Sequence, residues 1–198
     1  MKNLISLKFF LKRLFSCATK QVSINRIYND LKSAGIKIGK NSLYEFLEQA
    51  ESIFLVQTLK KYSPKVSVQE FGERKIFIID NGLLNSVVFK FSADRGKAME
   101  QVVFWELRRR GESFFFLKNG YECDFAIVSK SGEINDIIQV CSDLSNSHTL
   151  SREIKGISTV CKQTGISNGM IITYDRQDQI KTDDITIDLI PLPVFLLK

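Results

Sequence analysis

Residues 113–144 contain three apolar runs separated by two short turns, and this arrangement constrains the fold more than any other feature of the chain. The runs SFFFLKN, ECDFAIVSK and INDIIQVCSDL have the length and the aromatic and β-branched content of strands. Asn119-Gly120 is a strong hairpin signal between the first two runs, and the tripeptide SGE separates the second run from the third. The pattern predicts a meander of three strands.

Helical and strand patterns on both sides of the meander extend this prediction. GKAMEQVVFWELRRRG has helical periodicity with Gly111 as its stop, and SREIKGISTVCKQTG predicts a helix capped by Ser151. GMIITYD and ITIDLIPLPVFLL predict two further strands. The order predicts an α/β sandwich with a mixed central sheet, whose middle strands are covered by the two helices.

The part of the chain before the meander has a different pattern, which predicts several helices. After an amphipathic first helix, Ser23 is a suitable cap for a second helix, and Gly35 ends that helix. Asn41 or Ser42 is a suitable cap for a third helix, and Glu45 completes a capping-box pattern with Ser42.

Two predicted strands follow these helices. They cover residues 53–59 and 75–80, on either side of a turn that contains Pro64. Helices followed by a β-ribbon are the order of a winged helix-turn-helix. We therefore predict an α/β (α+β) protein with two domains, a winged helix-turn-helix-like domain over residues 1–91 and the α/β sandwich over residues 92–198.

Positive charge is concentrated in the first predicted domain. Residues 1–92 hold 15 Lys and Arg against 7 Asp and Glu, whereas residues 93–198 hold 13 against 15. The basic residues of the predicted ribbon are Lys60, Lys61, Lys65, Arg74 and Lys75. They are suited to contact the phosphates of DNA or RNA, although lysines also keep sheet edges solvated. The third helix carries Glu45, Glu48 and Glu51, which repel phosphates, so we do not expect it to read base sequence.

Three oxygen-bearing side chains stand where a metal-dependent phosphodiesterase would need them. Glu106 lies in the helix before the meander, Asp124 in its second strand and Gln139 in its third. Mg²⁺ prefers hard oxygen ligands, and neighbouring strands can bring Asp124 and Gln139 side by side. The alternatives are that Glu106 pairs with Arg109 or Arg110 at helical spacing, and that Gln139 only hydrogen-bonds a neighbour.

The order and spacing of several short stretches resemble a known domain family. The stretches are DNGLLNSV, GKAMEQVVFWELRRRG, ECDFAIV, IIQVCSDL and REIKGI. They are similar to DUF4143, a nuclease-like domain of the PD-(D/E)XK type at the C-terminal end of a family of bacterial and archaeal AAA+ ATPases. The residues in front resemble the winged-helix linker domain of the same family. The resemblance implies a restriction-endonuclease-like version of the α/β sandwich.

The resemblance also implies roles for individual residues. Glu106, Asp124 and Gln139 match three metal-binding positions of the nuclease family, and Mg²⁺ is the implied metal if the site is functional. Cys141 stands where the family has a lysine, and a thiol supplies no positive charge. Lys118, near the end of the first strand of the meander, is a candidate substitute for that lysine. The resemblance therefore implies a degenerate site that requires no cofactor.

The motifs that are present and absent favour some functions over others. The resembled ATPases carry a P-loop of the pattern GxxxxGK[ST], which this chain lacks, so we do not expect it to hydrolyse ATP by itself. The favoured function is a non-catalytic module that binds nucleic acid, a protein partner or an AAA+ ATPase domain. An active Mg²⁺-dependent nuclease and a structural homodimerisation module are the alternatives.

Cysteine usage and hydropathy predict the compartment. The 4 cysteines form no CxxC pair and the 1 histidine is His148, so we do not expect a zinc site. Free thiols are typical of a reducing cytosol, and no apolar run approaches the roughly 20 residues that span a bilayer. We expect a cytoplasmic protein without membrane contact.

Overall fold

The computed structural model describes residues 2–88, 94–182 and 184–197. The chain divides into two compact units, residues 1–93 and residues 94–198. Within the described residues, no helix combines the length and the apolar character needed to cross a bilayer.

The first unit combines helices with a small antiparallel sheet. Its elements are α1 (Lys2–Ser16), β1 (Gln21–Val22), α2 (Ile24–Ser33), α3 (Lys40–Ser52), β2 (Val56–Lys60), α4 (Val66–Phe71), β3 (Arg74–Ile78) and α5 (Asn81–Val87). The strand order is β1-β3-β2, and both pairings are antiparallel. The predicted helices and ribbon strands are therefore present, with β1 as an additional short strand.

The core of the first unit lies between α1, α2, α3 and the sheet. The helices bury Phe10 and Leu14 from α1, Ile24, Ile27 and Leu31 from α2, and Leu43, Phe46, Leu47 and Ala50 from α3. The predicted cap of α2 is confirmed, because the Ser23 hydroxyl accepts the Arg26 N–H at 3.2 Å. Gly35 follows α2 with a φ of +75°, a conformation that favours glycine.

Two local predictions in the first unit are wrong. Helix α3 begins at Lys40 behind Gly39, and no side chain caps it, so neither Asn41 nor Ser42 has the predicted role. Between β2 and β3 the chain forms α4 instead of a simple turn around Pro64. The connection is long enough for helical turns, and Lys60 of β2 contacts this helix through an ion pair with Glu70.

The second unit is a six-stranded mixed sheet with helices on both faces. Its elements are α6 (Arg95–Arg109), β4 (Phe114–Asn119), β5 (Tyr121–Val128), β6 (Ile134–Val140), α7 (Ser147–Thr164), β7 (Asn168–Thr173), β8 (Asp178–Thr182), β9 (Ile185–Pro191) and α8 (Leu192–Leu196). The strand order is β4-β5-β6-β7-β9-β8. The predicted meander is confirmed as β4-β5-β6, and Gly120 turns the first hairpin with a φ of +86°. Strands β6, β7 and β9 run parallel to one another.

Helices α6 and α7 pack on opposite faces of this sheet. Phe104 of α6 makes an edge-to-face contact with Phe114, and Phe114 makes another with Phe125 of β5, with ring centroids 5.5 and 5.9 Å apart. The register places Phe125, Ile138 and Met170 side by side on this face. A Cβ on Gly169, the next residue along β7 and hence on the other face, would lie 2.8 Å from Ile157 of α7.

Three boundaries in the second unit differ from the predictions. Helix α7 is capped by Asn146, whose side-chain oxygen accepts the His148 N–H at 2.8 Å, and not by Ser151. The last predicted strand ends at Pro191 and continues as α8, because prolines cannot donate to a strand ladder and suit the first turn of a helix. Strand β8 was not predicted, since its sequence is short and polar.

Candidate functional site

Asp124 and Gln139 lie opposite each other on the neighbouring strands β5 and β6. The pairing of Phe125 with Ile138 sets this register. The Asp124 carboxylate accepts the Val140 N–H at 3.0 Å, and the Gln139 amide oxygen accepts the Asp124 N–H at 3.2 Å. We call this arrangement the cross-strand pair. Each side chain therefore bonds to the backbone of the facing strand, and both are half-buried.

The cross-strand pair faces α7 and not α6. Side chains alternate between faces along a strand, so Asp124 points away from the face on which Phe125 contacts the α6 aromatic cluster. Gln139 is paired in register with Ile171, which shares its face with Gly169 and therefore with α7. The sheet thus separates the cross-strand pair from helix α6.

Glu106 lies on the α6 side of the sheet and has its own partners. Its carboxylate accepts two hydrogen bonds from Arg109, both at 2.7 Å, and one from Arg110 at 2.6 Å. The hydrogen bond from Arg109 and, to a smaller extent, that from Arg110 outweigh burial and lower the pKa of Glu106 to about 2. The structure therefore does not bring Glu106 to Asp124 and Gln139. It places Glu106 in the helical ion pair that was the alternative at this position.

The Glu106 ion pair is connected to helix α8 through Arg110. Arg110 also donates to the Phe195 carbonyl, and its guanidinium lies 4.3 Å from the centroid of the Phe195 ring. Glu106 is only 8% exposed, so its charge requires these partners. The arrangement has a structural role that is sufficient to explain a buried carboxylate in α6.

Cys141, which stands where the family that the sequence resembles has a lysine, is a half-buried neutral thiol. Its sulfur donates to the Asp143 carbonyl at 3.5 Å. Burial is the main cause of the raised pKa of Cys141. Nearby Glu153 raises this pKa further, whereas nearby Arg152 lowers it. A raised pKa keeps the proton on sulfur at neutral pH, so Cys141 provides neither a cation nor a thiolate.

Arg152 and Glu153 of α7 are neighbours of the site that the sequence did not indicate. They form an ion pair at 2.6 Å, in which Glu153 is 12% exposed and Arg152 is 68% exposed. They belong to α7, which packs on the face of the sheet that carries the cross-strand pair, and both contribute to the pKa of Cys141. The stretch REIKGI contains both residues, but only the crossover from β6 to α7 shows that they return to Cys141. Lys118, the candidate substitute, is instead aligned with the exposed Glu122.

The oxygens that would hold Mg²⁺ are those of Asp124 and Gln139, and they fit this ion poorly. One Asp124 oxygen and the Gln139 amide oxygen each accept a backbone N–H. Among the described residues, no group of three or more His, Cys, Asp or Glu side chains is close enough to hold a metal. A carboxylate and an amide supply few of the six oxygen ligands that Mg²⁺ requires.

The predicted basic ribbon is not a continuous exposed surface. Its residues are Lys60, Lys61, Lys65, Arg74 and Lys75. Lys60 pairs with Glu70 at 2.6 Å and lowers the pKa of that carboxyl group, while Arg74 donates to the Glu70 carbonyl. Lys75 is 4% exposed, because it lies on the central strand β3, and it is therefore removed from the proposed phosphate contacts. Lys61 is half-buried and Lys65 is exposed.

Comparison with known proteins identifies two longer relatives. The uncharacterized protein MJ1544 of Methanocaldococcus jannaschii is 33% identical over 193 residues, a match that covers 93% of this chain and 42% of the relative. An uncharacterized protein of Haemophilus influenzae is 32% identical over 114 residues, which cover 57% of this chain and 28% of the relative. No protein-family model matches the chain, and no solved structure matches it. The chain spans less than half the length of the curated relatives it matches, and it is homologous to part of each.

Proposed function

We propose that this chain is a non-catalytic, nuclease-like module that binds nucleic acid as part of a larger ATPase-type assembly. The second unit would be a degenerate PD-(D/E)XK domain, and the first unit a winged helix-turn-helix. The relatives are more than twice as long as this chain, which leaves room for a P-loop domain in such proteins.

The element order supports both domain assignments. In the second unit, α6 precedes the meander β4-β5-β6, and α7 then crosses to the parallel strand β7 on the opposite face from α6. In the first unit, the strand after α1 pairs with the last strand of the ribbon, so that three helices pack on a three-stranded sheet. These orders agree with the family that the sequence resembles.

The proposed loss of catalysis is supported by the hydrogen bonds of the cross-strand pair and by the neutral thiol of Cys141. Hydrolysis of a phosphodiester requires a metal that activates water and a positive charge that stabilises the transition state. Here one Asp124 oxygen and the Gln139 amide oxygen accept backbone N–H groups, and the thiol at the position corresponding to the family's lysine is neutral. The arrangement favours a structural connection between β5 and β6 over a reaction centre.

A plasmid-nicking assay tests this proposal. We expect the parent protein with Mg²⁺ or Mn²⁺ to cleave supercoiled DNA no faster than Asp124→Ala does. Asp136→Ala is the matched control, because Asp136 is an exposed carboxylate on the other face of β6. Nicking by the parent and by Asp136→Ala that disappears in Asp124→Ala would refute the proposed loss of catalysis.

An active Mg²⁺-dependent nuclease is the second candidate, and Arg152 is the observation that favours it. Its guanidinium lies close enough to Cys141 to affect the pKa of the thiol, so it is a cation near the position of the family lysine. If this candidate is correct, Arg152→Ala should abolish nicking. Lys155→Ala, which removes an exposed cation from the same helix, should not.

Light scattering of the parent chain tests the remaining alternative, a structural homodimer.

A further inference from the structure

The turn between α2 and α3 forms an open basic groove in the first unit. The groove has a volume of about 580 Å³ and is lined by Tyr28, Lys32 and residues 35–39, which include Lys37. Lys40, the first residue of α3, lies with its ammonium group 5.2 Å from the centroid of the Tyr28 ring. We call Lys32, Lys37 and Lys40 the groove lysines.

The groove lysines are exposed and carry no ion pair among residues 2–88. This distinguishes them from other cations of the unit, since Arg13 is paired with Asp30 at 2.8 Å and Lys60 with Glu70 at 2.6 Å. Residues 20–41 hold five Lys and Arg against the single carboxylate of Asp30, which Arg13 already neutralises. The positive charge of the turn is therefore available to an external anion.

The shape of the groove suits the close approach of a phosphate chain. Ile36 and Ile38 line the groove and are half-buried, while Gly35 and Gly39 line it and are exposed. A Cβ on either glycine would have nothing within 4 Å, so no other side chain covers the backbone there. The Gly35 and Ile36 N–H groups already donate to the Lys32 and Leu31 carbonyls, so the groove lysines supply the phosphate contacts, each as a point charge.

The acidic face of α3 limits where a polyanion can lie. Glu45 and Glu48 are exposed on α3 beyond the groove, and they repel phosphates. A ligand of high, regular negative charge would therefore follow the α2–α3 turn and avoid the outer face of α3. Duplex nucleic acid has such a charge, about one per 1.7 Å of its axis.

We propose that the groove lysines bind the phosphate backbone of nucleic acid independently of base sequence. This inference rests on the proposed function and specifies its surface, in place of the β2–β3 ribbon. Lys32 and Lys37 line the groove, and the Lys40 ammonium group lies close to the ring of Tyr28, which also lines it.

Binding of a fluorescein-labelled 20-base-pair DNA duplex, followed by anisotropy at several salt concentrations, tests the inference. The groove variant Lys32→Gln, Lys37→Gln and Lys40→Gln should bind about tenfold or more weakly than the parent. Its plot of log affinity against log salt should be shallower by about 3, since each phosphate contact contributes about 1 to that slope. The matched ribbon variant, Lys60→Gln, Lys61→Gln and Lys65→Gln, removes the same charge and should change affinity by less than about threefold.

The outcomes separate failure of the inference from failure of the proposed function. A parent chain that binds no duplex even at low salt would refute both. A parent that binds, with equal losses in the two variants or a larger loss in the ribbon variant, would refute only the location in the groove. Binding of polyglutamate but not of DNA would indicate an acidic protein partner and would also overturn the inference. Binding should be retained by the arginine variant, which combines Lys32→Arg, Lys37→Arg and Lys40→Arg. If circular dichroism shows that the triple glutamine variant is unfolded, the single substitution Lys37→Gln replaces it.

Discussion

Asp124 and Glu106 are both carboxylates with hydrogen-bonded partners, but their partners differ in kind. Asp124 accepts from the backbone of a neighbouring strand, whereas Glu106 accepts from two guanidinium groups on its own helix. A residue type in a plausible motif position therefore does not define a role. The partner that satisfies its charge decides whether the side chain is available to a ligand.

Whether Asp124→Ala lowers or raises the free energy of unfolding distinguishes a structural connection between the strands from a metal site. We expect Asp124→Ala to destabilise the second unit by about 1–3 kcal/mol, because the half-buried Val140 N–H loses its acceptor. A site that holds carboxylate oxygens for a metal would instead gain stability when the carboxylate is removed in metal-free buffer. Urea unfolding with and without Mg²⁺ measures this difference, and Asp136→Ala serves again as the control.

The Glu106 ion pair should make stability depend on acid pH. The pKa of Glu106 is lowered from an ordinary value of 4.5 to about 2, so the stabilisation is fully present above pH 4.5 and is lost as the pH falls towards 2. We expect Glu106→Gln to cost about 2 kcal/mol at pH 7 and progressively less below pH 4.5. Urea is the suitable denaturant because guanidinium chloride screens ion pairs. A cost that does not change with pH would contradict this, and Glu112→Gln, at an exposed position, controls for the loss of one charge.

The elements of the chain were predictable where the signal is local. Ser23 caps α2 as its hydroxyl and position indicate, and the Asn119-Gly120 turn joins β4 to β5. The start of α3 was not predictable, because Gly39, which precedes it, has no side chain to cap it, whereas Asn41 and Ser42 are suitable caps that lie inside the helix. The start of α7 was not predictable, because several Ser and Asn residues close to its start are suitable caps. Packing against the rest of the unit selects among them.

Packing between α7 and β7 should depend on the absence of a side chain at Gly169. A Cβ there would lie 2.8 and 2.9 Å from two Ile157 carbons and 3.2 Å from the Cys161 sulfur. We expect Gly169→Val to destabilise the second unit by about 1–3 kcal/mol in urea unfolding. Gly156→Ala, on helix α7, is the control, because its Cβ would have nothing within 4 Å, and it should stabilise by about 0.5–1 kcal/mol. Equal effects of the two substitutions would contradict this account of the interface.

At the scale of the whole molecule, the chain consists of two units that each have a hydrophobic core. The first unit is basic and carries the groove lysines, while the second unit contains the cross-strand pair and the single tryptophan, Trp105. The proposed nucleic-acid surface and the proposed degenerate site therefore lie in different units and can be tested by separate mutations.

A core substitution in the first unit should leave the second unit folded. Ile27 is fully buried in α2, so Ile27→Asp places a charge in the core of the first unit and should unfold it. We expect far-UV circular dichroism to show a loss of helix, while the urea midpoint followed by Trp105 fluorescence stays within error of the parent. A fluorescence midpoint that falls together with the helical signal would show that the two units unfold as one. Ile27→Val is the conservative control.

The sequence by itself determined the features that depend on near neighbours along the chain: the strands of the meander, the hairpin at Gly120, most helices, and the pairing of Asp124 with Gln139 through short turns. Tertiary structure decided which helix covers each face of the sheet. Alternation divides strand residues between two faces, but only packing between distant segments assigns α6 to one and α7 to the other. This assignment separates Glu106 from Asp124 and brings Arg152 near Cys141. Ion pairing across the first unit likewise decided which lysines remain available to an anion, because a charge is neutralised by its neighbours in space and not in sequence.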